Sequence, residues 1–180
     1  MSARRPPIIA DAGLAHSPTV HSIYAHWVRH GLASFEEIPP DREEMERRRL
    51  AVQELGLPYL VALEGDTVLG FAYAGPYRPR SAYRFTVEDS VYVAPDAQGK
   101  GVGRRLLGEV IQRAEALGRR QMLAVIGDSG NAPSIGLHEA MGFRRIGIFQ
   151  SVGFKFGRWV DTVMMQRPLG PGDHKLPDDK

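Results

Sequence analysis

The stretch Val91-Tyr92-Val93-Ala94-Pro95-Asp96-Ala97-Gln98-Gly99-Lys100-Gly101-Val102-Gly103-Arg104-Arg105 leaves this chain few folds to choose from. A β-rich run ends at a proline, glycines follow at 99, 101 and 103, and an apolar helical period starts at Val102. A strand that enters a helix through such a turn presents backbone N–H groups at the positive end of the helix dipole, a cradle for phosphate oxygens. Gln98, Gly99, Lys100, Gly101, Val102, Gly103 and Arg104 form the cradle, and Arg105 adds further charge behind it.

Two other phosphate loops fail on spacing. A Walker loop needs Gly where this chain has Ala94, and Ser or Thr where Gly101 follows Lys100. A dinucleotide fingerprint needs a third glycine where Arg104 or Leu106 stands. What remains is Gln98-x-x-Gly101-x-Gly103.

The 180 residues, 43% hydrophobic and 24% charged, make one globular domain with a sizeable core. A net charge of +2 gives no reason to expect nucleic acid as a partner. The absence of Cys excludes disulfides, thiolate metal sites and a Cys nucleophile. Ile8-Ile9-Ala10 is too short for a signal peptide, and no apolar run approaches the roughly 20 residues that span a bilayer. A cytoplasmic protein with no membrane partner is expected. His16, His21, His26 and His30 lack the Glu of a His-Glu-x-x-His site and are read as helix surface, so no metal is expected.

The order of elements follows from punctuation and period. A short strand lies near Ile8. Ser17-Pro18 opens a helix whose apolar face is Val20, Ile23, Tyr24, Trp27 and Val28, with Gly31 as its stop. Asp41, with Glu44 three residues on, opens a second helix. Residues 59–63 and 68–74 form a hairpin across Glu64-Gly65-Asp66, and residues 85–93 form a further strand. Val102, Leu106, Leu107, Val110, Ile111, Ala114 and Leu117 share one side of the next helix, which Gly118 ends. A buried strand at 122–126, a short helix at 131–141 and strands at 146–149 and 162–166 complete the domain. Residues 1–167 are expected to fold, and 168–180, rich in Pro, Gly and Asp, to form a flexible tail. The result is an α/β domain, antiparallel first and parallel around the cradle.

The cradle pattern and this element order resemble the GNAT acyltransferases. Segments around it resemble one branch, the phosphinothricin N-acetyltransferases: Ala72-Tyr73-Ala74-Gly75-Pro76, Thr86-Val87-Glu88-Asp89-Ser90-Val91-Tyr92-Val93, His138-Glu139-Ala140-Met141-Gly142-Phe143 and Gly153-Phe154-Lys155-Phe156-Gly157-Arg158-Trp159. The resemblance implies a mixed, mostly antiparallel twisted sheet flanked by helices. It also implies acetyl transfer from acetyl-coenzyme A (acetyl-CoA) to the α-amino group of a small amino-acid-like acceptor such as phosphinothricin or methionine sulfoximine, by a homodimer.

It implies roles for residues as well. The cradle would hold the donor's pyrophosphate, and the backbone of Val91, Tyr92 and Val93 would pair with its pantetheine arm. Glu88 matches the family's proton acceptor, a role that partial burial would favour by raising its pKa. A solvent-facing or Arg-paired strand Glu is the plainer reading of the same residue. His138 is a candidate acid, base or substrate ligand, and equally a hydrogen-bonded packing residue. Asn131 and Ser134 would touch the pantetheine, although Asn131 is sufficiently explained as a helix N-cap. For the acceptor, Arg78, Arg80 and Tyr83 lie in the loop before the catalytic strand, where the Arg forks suit carboxylate and phosphinate groups, although two solvated loop arginines are an equal reading of the residues alone. Phe35 matches a pocket aromatic, and Lys155 and Trp159 lie in a late loop that meets the second subunit. The rival readings are a different amine acceptor (a polyamine or a peptide N-terminus) and a non-catalytic acyl-CoA sensor.

Overall fold

The computed structural model describes residues 6–177. Its elements run β1 (Ile8–Asp11), α1 (Ser17–His30), α2 (Arg42–Glu54), β2 (Tyr59–Glu64), β3 (Thr67–Pro76), β4 (Thr86–Val93), α3 (Val102–Ala116), β5 (Gln121–Gly127), α4 (Ala132–Ala140), β6 (Arg144–Lys155) and β7 (Arg158–Pro168). The seven strands form one sheet in the order β1-β2-β3-β4-β5-β7-β6. Every neighbouring pair is antiparallel except β4 and β5.

That parallel pair is short. Only Thr86, Val87 and Glu88 find partners on β5, in Gln121, Met122 and Leu123. Beyond Glu88 the two strands part, while β4 keeps its pairing with β3 as far as Val93. The sheet therefore forks at Glu88.

Helices cover both faces, because strand alternation sends apolar side chains both ways. On one face Val102, Leu106, Leu107, Val110, Ile111 and Ala114 of α3 pack on Val87, Met122, Ala124 and Ile126. On the other, Val20, Ile23, Tyr24 and Val28 of α1 pack on Tyr59, Val61 and Phe71. Burying each such side chain favours folding by about 1.5–3 kcal/mol. Leu117, expected within the α3 stripe, lies beyond the last helical residue and is half exposed.

Two expectations about the C-terminal third need correction. The segment around residues 153–159, read as a late loop, is the closed end of a hairpin: Lys155 pairs with Arg158 across Phe156-Gly157, and both strands run far beyond the predicted 146–149 and 162–166. The run of exposed polar and apolar residues in β6 hides the strand period, since neither face of that stretch is covered by the chain itself. The packed domain also continues past 167. Leu169 is fully buried and its N–H donates to the Arg120 carbonyl at 2.9 Å. Residues 1–5 and 178–180 of the expected termini lie outside the described residues.

Candidate active site

The cradle closes as its residues suggest. Gly99 and Gly101 take φ of 71° and 76°, left-handed values that side chains resist, and Gly101 is the N-cap of α3. The first turn of α3 carries no acidic residue, so nothing opposes an anion at its positive end. A cavity of about 550 Å³ opens there, walled by Val91, Tyr92 and Val93 of β4, by Gln98, Gly99, Gly101, Val102, Gly103 and Arg104, and by Asn131 and Ser134 of α4. The predicted cradle residue missing from this wall is Lys100, whose ammonium turns back to the Asp96 carbonyl at 2.5 Å. Asn131 does cap α4, its side-chain oxygen accepting the Ser134 N–H at 3.3 Å.

The fork supplies free backbone groups along the same cavity. Trp27 Nε1 donates to the Val93 carbonyl at 2.8 Å, while the Ala94 N–H donates to Leu69 on the β3 side. In an antiparallel pair, the N–H and C=O of one residue point the same way, and successive residues alternate. The Val91 N–H therefore points into the fork, away from β3. A second cavity of about 50 Å³ lies between the parted strands, lined by residues 89–92 and 124–127 with Ser134 and His138.

Glu88 is the last paired residue before the fork and shares its face of β4 with Ser90 and Tyr92. It is partly buried, and that burial, with the neighbouring charge of Asp89, raises its carboxyl pKa against a smaller lowering by Arg78. Directly opposite on β3 stands Gly75, and a Cβ built there meets nothing within 4 Å. The carboxylate thus borders open space.

The other face of β4 holds a pair that sequence reasoning missed. Asp89 and His138 are both buried, with His138 Nε2 3.0 Å from Asp89 Oδ2 and His138 Nδ1 2.7 Å from the Ser134 carbonyl. Burial by itself would lower the imidazole pKa, but the hydrogen bond and charge of Asp89 outweigh it, and the pKa is raised. Alternation along β4 was the available signal: Asp89 falls between Val87 and Val91 on the core face, where a charge needs a partner. Asp89, which holds His138, and Glu88 project from opposite faces of the strand.

The predicted acceptor residues separate into groups. The Arg78 guanidinium lies 5.2 Å from the centre of the Tyr77 ring, and that ring meets Tyr83 edge-on at 5.5 Å. Arg80 is exposed beside them. Phe35 lies against Gly127 and Gly153, where a Cβ would come within 2.9 and 2.4 Å of its ring atoms. Lys155 is buried and committed: its ammonium donates to the carbonyls of Gly31 at 2.9 Å and Ser34 at 2.7 Å, tying the hairpin to the loop that carries Phe35. Trp159 is two-thirds exposed and meets Phe154 edge-on at 5.2 Å.

Comparison with known proteins identifies this arrangement. The profile of the acetyltransferase (GNAT) family matches residues 21–143. The chain belongs to that family. It is 61% identical over 161 residues to a phosphinothricin N-acetyltransferase of Alcaligenes faecalis, covering 89% of this chain and 82% of the relative. It is 44% identical to an L-methionine sulfoximine/L-methionine sulfone acetyltransferase of Pseudomonas paraeruginosa, covering 91% and 95%. The crystal structure of a phosphinothricin acetyltransferase from Sinorhizobium meliloti, in complex with AcCoA, superposes with a TM-score of 0.94 at 45% identity, over 97% of this chain and 95% of that one. This GNAT protein is an acetyltransferase of the phosphinothricin N-acetyltransferase-like branch. No helix among its described residues is long and apolar enough to cross a membrane, and no three metal-ligating side chains converge there.

Proposed function

We propose that this acetyltransferase moves acetyl from acetyl-CoA to the α-amino group of phosphinothricin, methionine sulfoximine or a related small amino acid, with Glu88 as general base. The observation that carries the proposal is the half-buried Glu88 at the fork, facing open space over Gly75 and three residues along β4 from Val91, which walls the cavity that ends at the α3 cradle.

Acetyl-CoA supplies the activated acetyl group. The residues that fit its charged end are the amides from Gly99 to Arg104 at the α3 N-terminus, with no carboxylate in the first turn to repel it. The Val91 N–H, directed into the fork, donates to the thioester oxygen and stabilises the charge that gathers there as the amine attacks. Glu88 takes the proton that keeps the acceptor ammonium from attacking, and its raised pKa makes it a better base than an ordinary carboxylate. The nitrogen–carbon bond forms as the carbon–sulfur bond breaks, and the thiolate leaves with the second amine proton.

A second copy of the chain fits the β6–β7 hairpin. Ile146, Phe149, Val152, Phe154, Phe156 and Trp159 are each more than half exposed along it, a concentration of exposed apolar side chains of the kind that marks an interface. Through Phe35 on Gly153 and through Lys155 this surface reaches the acceptor side, which supports an acceptor site near the interface.

Thiol release from acetyl-CoA, followed across amino-acid analogues, polyamines and peptide N-termini, tests the proposal. Phosphinothricin and methionine sulfoximine are expected to give the highest kcat/KM. Background rates with both would overturn the acceptor assignment.

A further inference from the structure

We infer that Asp89 and His138 form a positioning pair that pins α4 to β4 across the fork and so sets the width of the donor channel, with His138 keeping its proton throughout turnover. The inference rests on the acetyl-CoA reading above.

Hydrogen-bond accounting carries it. The Ser134 carbonyl can only accept, so His138 Nδ1 holds a proton. Asp89 Oδ2 lies 3.0 Å from Nε2, and an ionised carboxylate can only accept, so Nε2 holds one as well. The ring is then an imidazolium with both N–H groups spoken for and no lone pair for an acceptor amine. Losing the Nε2 proton would leave a lone pair facing a carboxylate in a site that water hardly reaches, where both side chains are no more than 5% exposed. Asp89 is the charged group that reaches the ring. Glu88 projects from the other face, and Glu139 is exposed and bound to Arg145 at 2.9 Å.

The location gives the pair its task. Asp89 is the first β4 residue beyond the last β4–β5 partners, and His138 stands on the helix whose Asn131, Pro133, Ser134 and Leu137 wall the donor cavity. Asp89 Oδ1 is buried without a hydrogen-bond partner and belongs to the lining of the smaller cavity. A strand and a helix joined by one ion pair at the branching point of a sheet hold the channel at one width.

Two variants test the pair, with acetyl-CoA affinity read by calorimetry and His138 titration by NMR. Asp89→Asn keeps an oxygen that can accept from Nε2 but removes its charge, so it is expected to weaken acetyl-CoA binding about three- to tenfold, as a neutral hydrogen bond replaces an ion pair, and to lower the pH at which His138 titrates. Its acceptor KM is expected to change less than twofold. His138→Gln offers Asp89 an amide donor but no transferable proton, and kcat is expected to fall less than about fivefold. A thousandfold loss of kcat in His138→Gln at unaltered acetyl-CoA affinity would make His138 a proton carrier and overturn the inference. So would unaltered acetyl-CoA binding in a folded Asp89→Asn protein. Should Asp89→Asn fail to fold, the kcat of His138→Gln decides. Calorimetry needs no acceptor, so failure of the substrate assignment would show separately, as a wild-type enzyme that binds acetyl-CoA and turns nothing over.

Discussion

The two faces of β4 put neighbouring carboxylates to opposite uses. Asp89 points into the α3/α4 side, where a buried imidazolium neutralises it. Glu88, one residue earlier, points to the α1/α2 side, partly buried and without so close a cation, next to the empty space over Gly75. A paired charge in a packed setting holds structure together. An unpaired one that is partly buried beside open space has a raised pKa, which suits the proposed role of base. On the proposed reading, one strand separates scaffold from chemistry by the alternation of its side chains.

The largest test of this contrast is Glu88→Gln. We expect kcat to fall by about 10²–10⁴, the usual worth of a general base, while acetyl-CoA affinity persists. In the wild type, kcat should rise with pH through a value above the ordinary 4.5 of a Glu carboxyl, because the base must be ionised. A sensor that uses the fold only for binding would show neither effect.

Asp89→Ala should have the opposite character. Leaving His138 buried and unpaired is expected to cost about 3–5 kcal/mol of stability near neutral pH, measured by chemical denaturation. The sign follows from the raised pKa of His138: the stabilisation is fully present below its ordinary 6.5 and is lost as pH rises through the higher folded value. The difference between wild type and variant should shrink across that window.

Gly75→Val probes the space beside Glu88. The strand welcomes a β-branched residue and nothing stands within 4 Å of the new Cβ, so folding should be unharmed. Acceptor KM is expected to rise about tenfold, the effect of a few misplaced methyl groups, with acetyl-CoA affinity unaltered. The smallest effect concerns stability again. Since burial disfavours the ionised Glu88, its favourable contribution is present below pH 4.5 and lost as pH rises through the raised folded value. Glu88→Gln should therefore melt slightly above wild type at neutral pH even as its activity disappears.

The cradle was legible because its information is local. Glycines at 99 and 101 announce left-handed backbone, and the apolar period from Val102 announces a helix behind it. The hairpin of β6 and β7 was largely hidden, since its exposed apolar surface obeys neither a strand period nor a helix period. Lys155 shows why residue type alone misleads: a cation expected to meet an acceptor is consumed by two backbone carbonyls.

The sequence alone determined the α/β order, the glycine-rich turn before α3 and the helix faces, since each depends on residues only a few positions apart. Tertiary structure decided that β4 and β5 part at Glu88, that Gly75 stands open across from it, and that Asp89 meets His138. Those outcomes depend on strand register and on which helix covers which face, contacts between residues 13 to 49 positions apart that no local pattern records.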